Sequence, residues 1–234
     1  MQLHEVQGLK ARVFDNGYEV LNKHGLVIIW MSVGNSYFDK EKIEEILEYA
    51  DKTFSSIRIL IPYEPAIYTY LALGYDKTRA SSKARLGANR LTNHTKRIIS
   101  DDVHFKDKDI TVLDWTREVA AMGSYQKCLM SITHLYETSR RFQIDAEEAT
   151  AEVLGKKGGM GLTAEKIKIG VKYLLEEFAF VLSSPDLFKV DKTVYMYHRR
   201  WPIFEKFVNG EYDDKPKNNI GFILVNEKEK PDIT

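Results

Sequence analysis

The feature that most constrains the fold is an apolar run at residues 26–31 (LVIIWM), which ends in the turn-forming residues 32–36 (SVGNS). A continuous apolar run rich in β-branched residues is typical of a strand buried on both faces. Residues 40–54 have helical apolar spacing with Asp39 as N-cap, and residues 57–61 (IRILI) predict a second buried strand. This order implies two parallel strands joined by a right-handed crossover.

The same alternation continues along the chain. Further strands are predicted at residues 110–113, 190–197 and 220–225, and helices at 65–73, across the basic segment 77–100, over most of 118–152 and from Thr163 to about 182. No internal repeat and no linker between domains is visible. The 234 residues, of which 44% are hydrophobic, therefore predict one α/β domain over residues 1–234 with a mostly parallel sheet flanked by helices.

Composition also bears on location. The single cysteine, Cys128, excludes an intramolecular disulfide and fits a reducing compartment. Residues 1–25 mix charged with apolar side chains, so no targeting signal is expected, and the apolar run at 26–31 is far too short to span a membrane. We therefore expect a cytoplasmic protein without a membrane partner.

Charge is distributed unevenly although the net charge is zero. Residues 77–100 contain seven basic side chains and no acidic one, so the remainder of the chain carries a net charge of minus seven. Solvated helix faces normally mix both signs, and this segment therefore favours a phosphate-binding surface. No groove-reading motif accompanies it, which favours RNA held by its backbone over DNA. The predicted contacts are Arg79, Lys83, Arg90 and Arg97 on one face, with Arg85 and Lys96 on a second edge.

Ser32 follows the first strand at its carboxyl end, where ligands bind in open parallel sheets. Alternation places Ile28, Trp30 and Ser32 on one side of the strand. Gly34 allows close approach of the backbone to a substrate, and Asn35 can donate a hydrogen bond to a developing oxyanion. A serine after a strand more often only caps a turn. A serine-hydrolase elbow needs G-x-S-x-G, and the tryptophan two residues before the serine excludes it.

A second candidate lies on the helix that starts after Thr163. Tyr173 and Glu177 are four residues apart, so their side chains meet on a sector that also holds Ile169 and Phe180, whereas Glu176 falls on a solvated side. Glu177 is then either a partly buried functional acid or an exposed residue on a mixed face. If buried, it needs a cationic partner, and the α-ammonium group of a substrate would serve.

Three motifs in register resemble the cyclodipeptide synthases over nearly the whole chain: residues 31–38 (MSVGNSYF), 173–177 (YLLEE) and 196–202 (MYHRRWP). Asn35, Tyr197 and His198 resemble the subfamily marked by Asn, Tyr and His. The resemblance implies a Rossmann-like domain related to tyrosyl- and tryptophanyl-tRNA synthetases. The ATP signatures of those synthetases are missing here, so two pre-charged aminoacyl-tRNAs are the implied substrates, with no cofactor or metal.

By the same resemblance, Ser32 accepts the first amino acid as an ester, and Tyr173 and Glu177 hold its α-amino group. A second aminoacyl-tRNA then supplies the other residue, and Tyr197 relays protons as the dipeptide closes into a diketopiperazine. His198 and Asn35 position the serine loop. Tyr125 matches an aromatic position of the family's pocket, the basic helix holds the first tRNA, and the protein is expected to act as a monomer.

One departure concerns Trp30, where the family often has a small residue. Because Trp30 shares a face with Ser32 and Ile28, we expect a shallow apolar pocket that prefers aliphatic amino acids such as leucine. The loop 155–161 (GKKGGMG) does not fit the phosphate-binding pattern and is interpreted as a flexible linker. Two alternatives stay open: an RNA-binding module without activity, and a small-molecule transferase, which would need a glycine-rich turn where only Gly34 is present.

Overall fold

The computed structural model describes residues 2–6, 9–13, 25–158, 161–213, 217 and 219–225. Its centre is a seven-stranded sheet with the order β1-β2-β7-β6-β3-β4-β5. The strands are β1 (Gln2–Val6), β2 (Leu9–Val13), β3 (Leu26–Trp30), β4 (Ser56–Leu60), β5 (Ile110–Val112), β6 (Thr193–Tyr197) and β7 (Ile220–Val225). Strands β3 to β7 are all parallel, which confirms the predicted α/β class. The hairpin β1–β2, which the sequence patterns did not predict, pairs antiparallel with β7.

Seven α-helices are described, together with a 3-10 turn at Val103–Phe105 and a π-helical turn at Trp115–Ala120. They are α1 (Lys40–Thr53), α2 (Tyr63–Ala72), α3 (Lys77–Asp101), α4 (Gly123–Thr138), α5 (Arg140–Lys156), α6 (Ala164–Phe188) and α7 (Pro202–Val208). Asp39 caps α1 as predicted, by accepting a hydrogen bond from the backbone of Lys42. Within the described part of the chain, no helix has the length and apolar character needed to cross a membrane.

Apolar side chains of the central strand β3 face alternately into two cores. Val27 and Ile29 pack on one face of the sheet with residues of α1 and α3. Ile28 and Trp30 pack on the other face with residues of α4, α6 and α7. Burial on both faces explains why this strand is uniformly apolar.

Helix α6 is longer than predicted: it continues past residue 182 to Phe188, through Pro185. Proline cannot donate to the carbonyl four residues earlier, which belongs to Val181. The hydroxyl of Ser184 donates to that oxygen at 2.8 Å and replaces the missing bond. The helix ends at Lys189, which adopts a left-handed conformation with φ 54°. As a result β6 begins at Thr193, later than the predicted residue 190.

Helix α3 is attached closely to the loop that carries Ser32. Its apolar side chains Ala84, Ala88, Leu91 and Ile98 are buried, and a Cβ atom on Gly87 would lie only 2.8 Å from Cγ1 of Val33. Thr95 also donates to the sulfur of Met31 at 3.7 Å. The basic side chains consequently face solvent directly beside the serine loop: Arg79, Lys83, Arg85, Arg90, Lys96 and Arg97 are all exposed.

Candidate active site

A cavity of about 1110 Å³ opens at the carboxyl ends of β3 and β6. It brings together eight of the side chains and backbone positions that the sequence singled out. These are Trp30, Ser32, Gly34, Asn35, Tyr173, Glu177, Tyr197 and His198. The cavity therefore joins residues from three separate parts of the chain, as the three motifs require.

Ser32 lies between two tyrosines. Its Oγ is 2.9 Å from the hydroxyl of Tyr197. Tyr173 lies close enough to Ser32 and to Glu177 for both to influence its pKa. Burial raises the pKa of both tyrosines, and for Tyr173 the Glu177 carboxylate raises it further. Both phenols therefore stay protonated near neutral pH, so they can pass a proton along but do not act as anionic bases.

Glu177 lies in the interior, with 8% of its surface exposed. Burial raises the pKa of its carboxyl to about 8. The neighbouring hydroxyl of Tyr173, the charge of Arg199 and the indole of Trp30 oppose that rise. The sequence left open whether Glu177 is a buried acid or an exposed residue, and in the structure it is buried. Its proton affinity is close to that of an α-amino group, which suits it to receive an ammonium or to take a proton from one.

The serine loop is held by Asn35 and His198. The Asn35 Oδ1 accepts a hydrogen bond from the backbone of Tyr37 at 3.1 Å, and its Nδ2 lies 3.3 Å from Nε2 of His198. Nε2 must then accept, which leaves the imidazole proton on Nδ1. Burial and the neighbouring Arg199 lower the pKa of His198 to about 4, so the ring is neutral. Tyr37 stacks on it with ring centroids 4.2 Å apart.

Trp30 forms part of the cavity wall and is 5% exposed. Its ring packs edge-on against Phe180 at 5.7 Å and at a tilt against Tyr195 at 6.5 Å. The indole therefore takes up space next to Ser32 and also lies near enough to Glu177 to influence its pKa.

Other predicted residues lie outside this cavity. Ile28 is fully buried in the core. Tyr125 is also buried and packs edge-on against Trp115 at 5.7 Å, and the nearby Glu176 contributes to raising its pKa. The prediction that Glu176 is solvated was wrong: it is half-buried, and burial together with the charge of Glu64 raises its pKa to about 7.

The model of the cyclodipeptide synthase family matches residues 13–227 of the chain. The chain belongs to this family. It is 25% identical over 221 residues to the cyclo(L-leucyl-L-leucyl) synthase of Bacillus subtilis, a match that covers 91% of this chain and 87% of that protein. The predicted enzyme class, an aminoacyltransferase of the cyclodipeptide synthase type, is confirmed at the level of the family.

Solved structures agree with the fold. A cyclodipeptide synthase from Bacillus thermoamylovorans superposes with a TM-score of 0.82 at 20% identity, covering 94% of this chain and 96% of that one. A Mycobacterium tuberculosis protein superposes with a TM-score of 0.82 at 16% identity, covering 96% of this chain and 95% of that one. Its structure was described as demonstrating that cyclodipeptide synthetases are related to type I tRNA synthetases.

Three further residues of this cyclodipeptide synthase line the cavity but were missed: Tyr70, Lys157 and Arg199. The guanidinium of Arg199 lies 5.9 Å from the ring centroid of Tyr197 and influences both the tyrosine and Glu177. Its position directly after the Tyr-His pair could have indicated this role. Lys157 lies in the segment interpreted as a linker, and only the packing of α5 against the serine loop reveals it.

Proposed function

We propose that the chain joins two amino acids, delivered by two aminoacyl-tRNAs, into a cyclic dipeptide through an aminoacyl ester on Ser32. The observation that carries this proposal is that one cavity holds Ser32, hydrogen-bonded to Tyr197, together with Tyr173 and the buried Glu177, whose charge acts on Tyr173. A nucleophile, a proton relay and an acid matched to an amino group are the parts that such a reaction needs.

In the first step the Ser32 oxygen attacks the ester carbonyl of the first aminoacyl-tRNA. The bond to the ribose oxygen breaks, the amino acid becomes esterified to Ser32, and the serine proton ends on the departing ribose hydroxyl. The ester is already activated, so the weak assistance of two neutral phenols suffices. Competition from water matters more, and the enclosed cavity limits it.

In the second step the α-amino group of the bound residue attacks the ester of the second aminoacyl-tRNA. That amine must first lose its ammonium proton. Glu177, with a pKa of about 8, is partly ionised near neutral pH, and in the ionised form it is suited to hold the ammonium and to take the proton, with Tyr173 beside the carboxylate. The product of this step is a dipeptide esterified to Ser32, and the second tRNA leaves with a free ribose hydroxyl.

Closure releases the product. The new N-terminal amine attacks the ester carbonyl on Ser32, a second amide bond forms, and the serine oxygen leaves. Tyr197, 2.9 Å from that oxygen, returns a proton to it and regains one from the attacking amine. His198 and Asn35 hold the loop in place, and their contact supports our proposal that the chain is of the subfamily marked by Asn, Tyr and His.

The exposed basic side chains of α3 are suited to hold the acceptor arm of the first tRNA. In the described part of the chain none of them has a carboxylate partner, so they are available to phosphates. Changing Arg90 and Arg97 to Glu should weaken tRNA binding and reduce its salt slope by roughly 0.7–0.9 per lost phosphate contact. Reversing the exposed Lys127 and Lys168 is the matched control. An unchanged slope would remove α3 from the binding surface.

For substrates we propose aliphatic amino acids, with leucine first. Trp30 narrows the cavity beside Ser32, and the Bacillus subtilis relative is named for a leucyl-leucyl product. Mass spectrometry of small molecules from a bacterial host expressing the chain should reveal cyclic dipeptides that contain leucine. Products built mainly from phenylalanine or tyrosine would contradict the specificity, and no product that depends on Ser32 would contradict the function. We also propose that residues 1–234 act as one catalytic domain, as a cytoplasmic monomer.

A further inference from the structure

A second, smaller cavity of about 280 Å³ lies beside the active-site cavity. Three segments line it: the connection between α2 and α3, the first turn of α3, and the end of α5. The lining residues are Leu73, Gly74, Tyr75 and Asp76 from the connection, Arg79 from α3, and Lys157 and Gly158 from the end of α5. Lys157 borders both cavities. The two cavities therefore share a lining residue.

Aromatic side chains connect the serine loop to this second cavity. A Cβ atom at Gly34 would lie 3.1 Å from the hydroxyl of Tyr70 and 3.9 Å from Nζ of Lys157. The ring of Tyr70 contacts that of Tyr75 at 6.0 Å, nearly perpendicular, and Lys83 places its ammonium 4.9 Å from the centre of the Tyr75 ring. A continuous path thus runs from two residues beyond the nucleophile to the start of α3.

The charges along this path are not balanced. The carboxylate of Asp76 is already used as the N-cap of α3, where it accepts from the backbone of Arg79 at 2.9 Å. Lys157 has no carboxylate partner in the described part of the chain, and the charge that acts on its pKa is that of another cation, Arg199. Partial burial and that cation lower the pKa of the Lys157 ammonium. An uncompensated cation in a partly enclosed groove is a ready site for a phosphate.

We propose that a groove beside the active site binds the last nucleotides of the tRNA whose amino acid is transferred to Ser32. This groove, called the 3′ groove below, is formed by Tyr70, Tyr75, Arg79 and Lys157. Lys157 and Arg79 contact backbone phosphates, and the Tyr75 ring provides a face on which a base stacks. The inference rests on the proposed function, since it needs an RNA ester at Ser32. The chemistry fits because the nucleotides attached to that ester must continue directly from the serine loop, and this groove begins there.

The test is binding of uncharged tRNA, which involves no chemistry at Ser32. Affinity is measured for full-length tRNA and for the same tRNA without its last three nucleotides, with wild type and with Lys157→Met. The variant should lose roughly tenfold in affinity for the full-length RNA and little for the truncated one, since the lost contact is made only by the removed nucleotides. Lys157→Arg should restore most of the loss, because it keeps the charge. Lys168→Met removes an exposed charge that lines neither cavity and is the matched control.

Tyr75 supplies an independent arm. Tyr75→Phe keeps the ring and should retain the preference for full-length RNA, whereas Tyr75→Leu should lose it. The inference is overturned if Lys157→Met weakens both RNAs equally or neither. Failure of the proposed function gives a different result: Ser32 stays unacylated by charged tRNA while the binding preference for full-length RNA persists. Absence of any tRNA binding by wild type would overturn both.

Discussion

The buried carboxyl of Glu177 gives a prediction in which stability and activity move in opposite directions. Its pKa is raised from 4.5 to about 8, mainly by burial. Between those two pH values the carboxyl is ionised in the unfolded chain but protonated in the folded one. The folded state binds the extra proton, so this group lowers the free energy of unfolding as pH rises from 4.5 to 8.

The size of the effect follows from the shift. Each pKa unit is worth a little over 1 kcal/mol, which gives on the order of 5 kcal/mol as an upper limit above pH 8. Water entering the cavity reduces the desolvation, so about 2 to 4 kcal/mol is expected. Glu177→Gln keeps the shape and an acceptor oxygen but cannot ionise. It should raise the free energy of unfolding by that amount at pH 8.5 and by less than about 1 kcal/mol at pH 5.

Urea unfolding of both proteins at the two pH values, followed by tryptophan fluorescence, measures this difference. Contributions of all other titrating groups cancel between wild type and variant. Glu152→Gln is the control, because this exposed residue pairs with Lys156 and its pKa is lowered, so no gain at high pH is expected. The same Glu177→Gln protein should form no cyclic dipeptide. An identical stability change at both pH values would refute the burial argument.

Three further changes test other parts of the structure. Tyr197→Phe removes the hydrogen-bond partner of Ser32 and should slow product formation by roughly 10²- to 10⁴-fold, with esterified protein accumulating. Unchanged steady-state turnover would exclude a proton relay through Tyr197. Gly87→Ala places a methyl group 2.8 Å from Val33 and should cost about 1–3 kcal/mol in urea unfolding, and a neutral result would contradict the close contact. Tyr125→Phe removes a buried hydroxyl that lies near the Glu176 carboxyl, outside the cavity, so stability should fall by about 1–3 kcal/mol while the product spectrum, measured by mass spectrometry, stays the same. Altered products would return Tyr125 to the pocket.

The elements best predicted from the sequence were those with an unambiguous local pattern. The last strand was predicted at residues 220–225, as found, and the strand at 26–30 was predicted because burial on both faces makes it continuously apolar. Residues 2–6 and 9–13 gave no such signal. They form strands at the edge of the sheet, where pairing with β7 decides the structure more than propensity does.

The candidate site was predicted from motifs, but several of its contacts depend on packing between distant segments. The burial of Glu177 was undecided from the helical pattern, because the pattern cannot show what covers a mixed face. Glu176 was misplaced for the same reason: Tyr125 from α4 and Glu64 from α2 lie against it. Lys157 reaches the serine loop only because of where α5 ends. No local pattern contains that information.

Intact-mass spectrometry tests the central claim most directly. The protein is mixed with leucyl-tRNA, quenched within seconds and weighed, with Ser32→Ala and Ser36→Ala measured in parallel. We predict that wild type and Ser36→Ala gain the mass of one leucyl group, later of two, and that Ser32→Ala gains neither. Product formation by Ser32→Ala at the wild-type rate, or a leucyl group located elsewhere on the chain, would contradict the account.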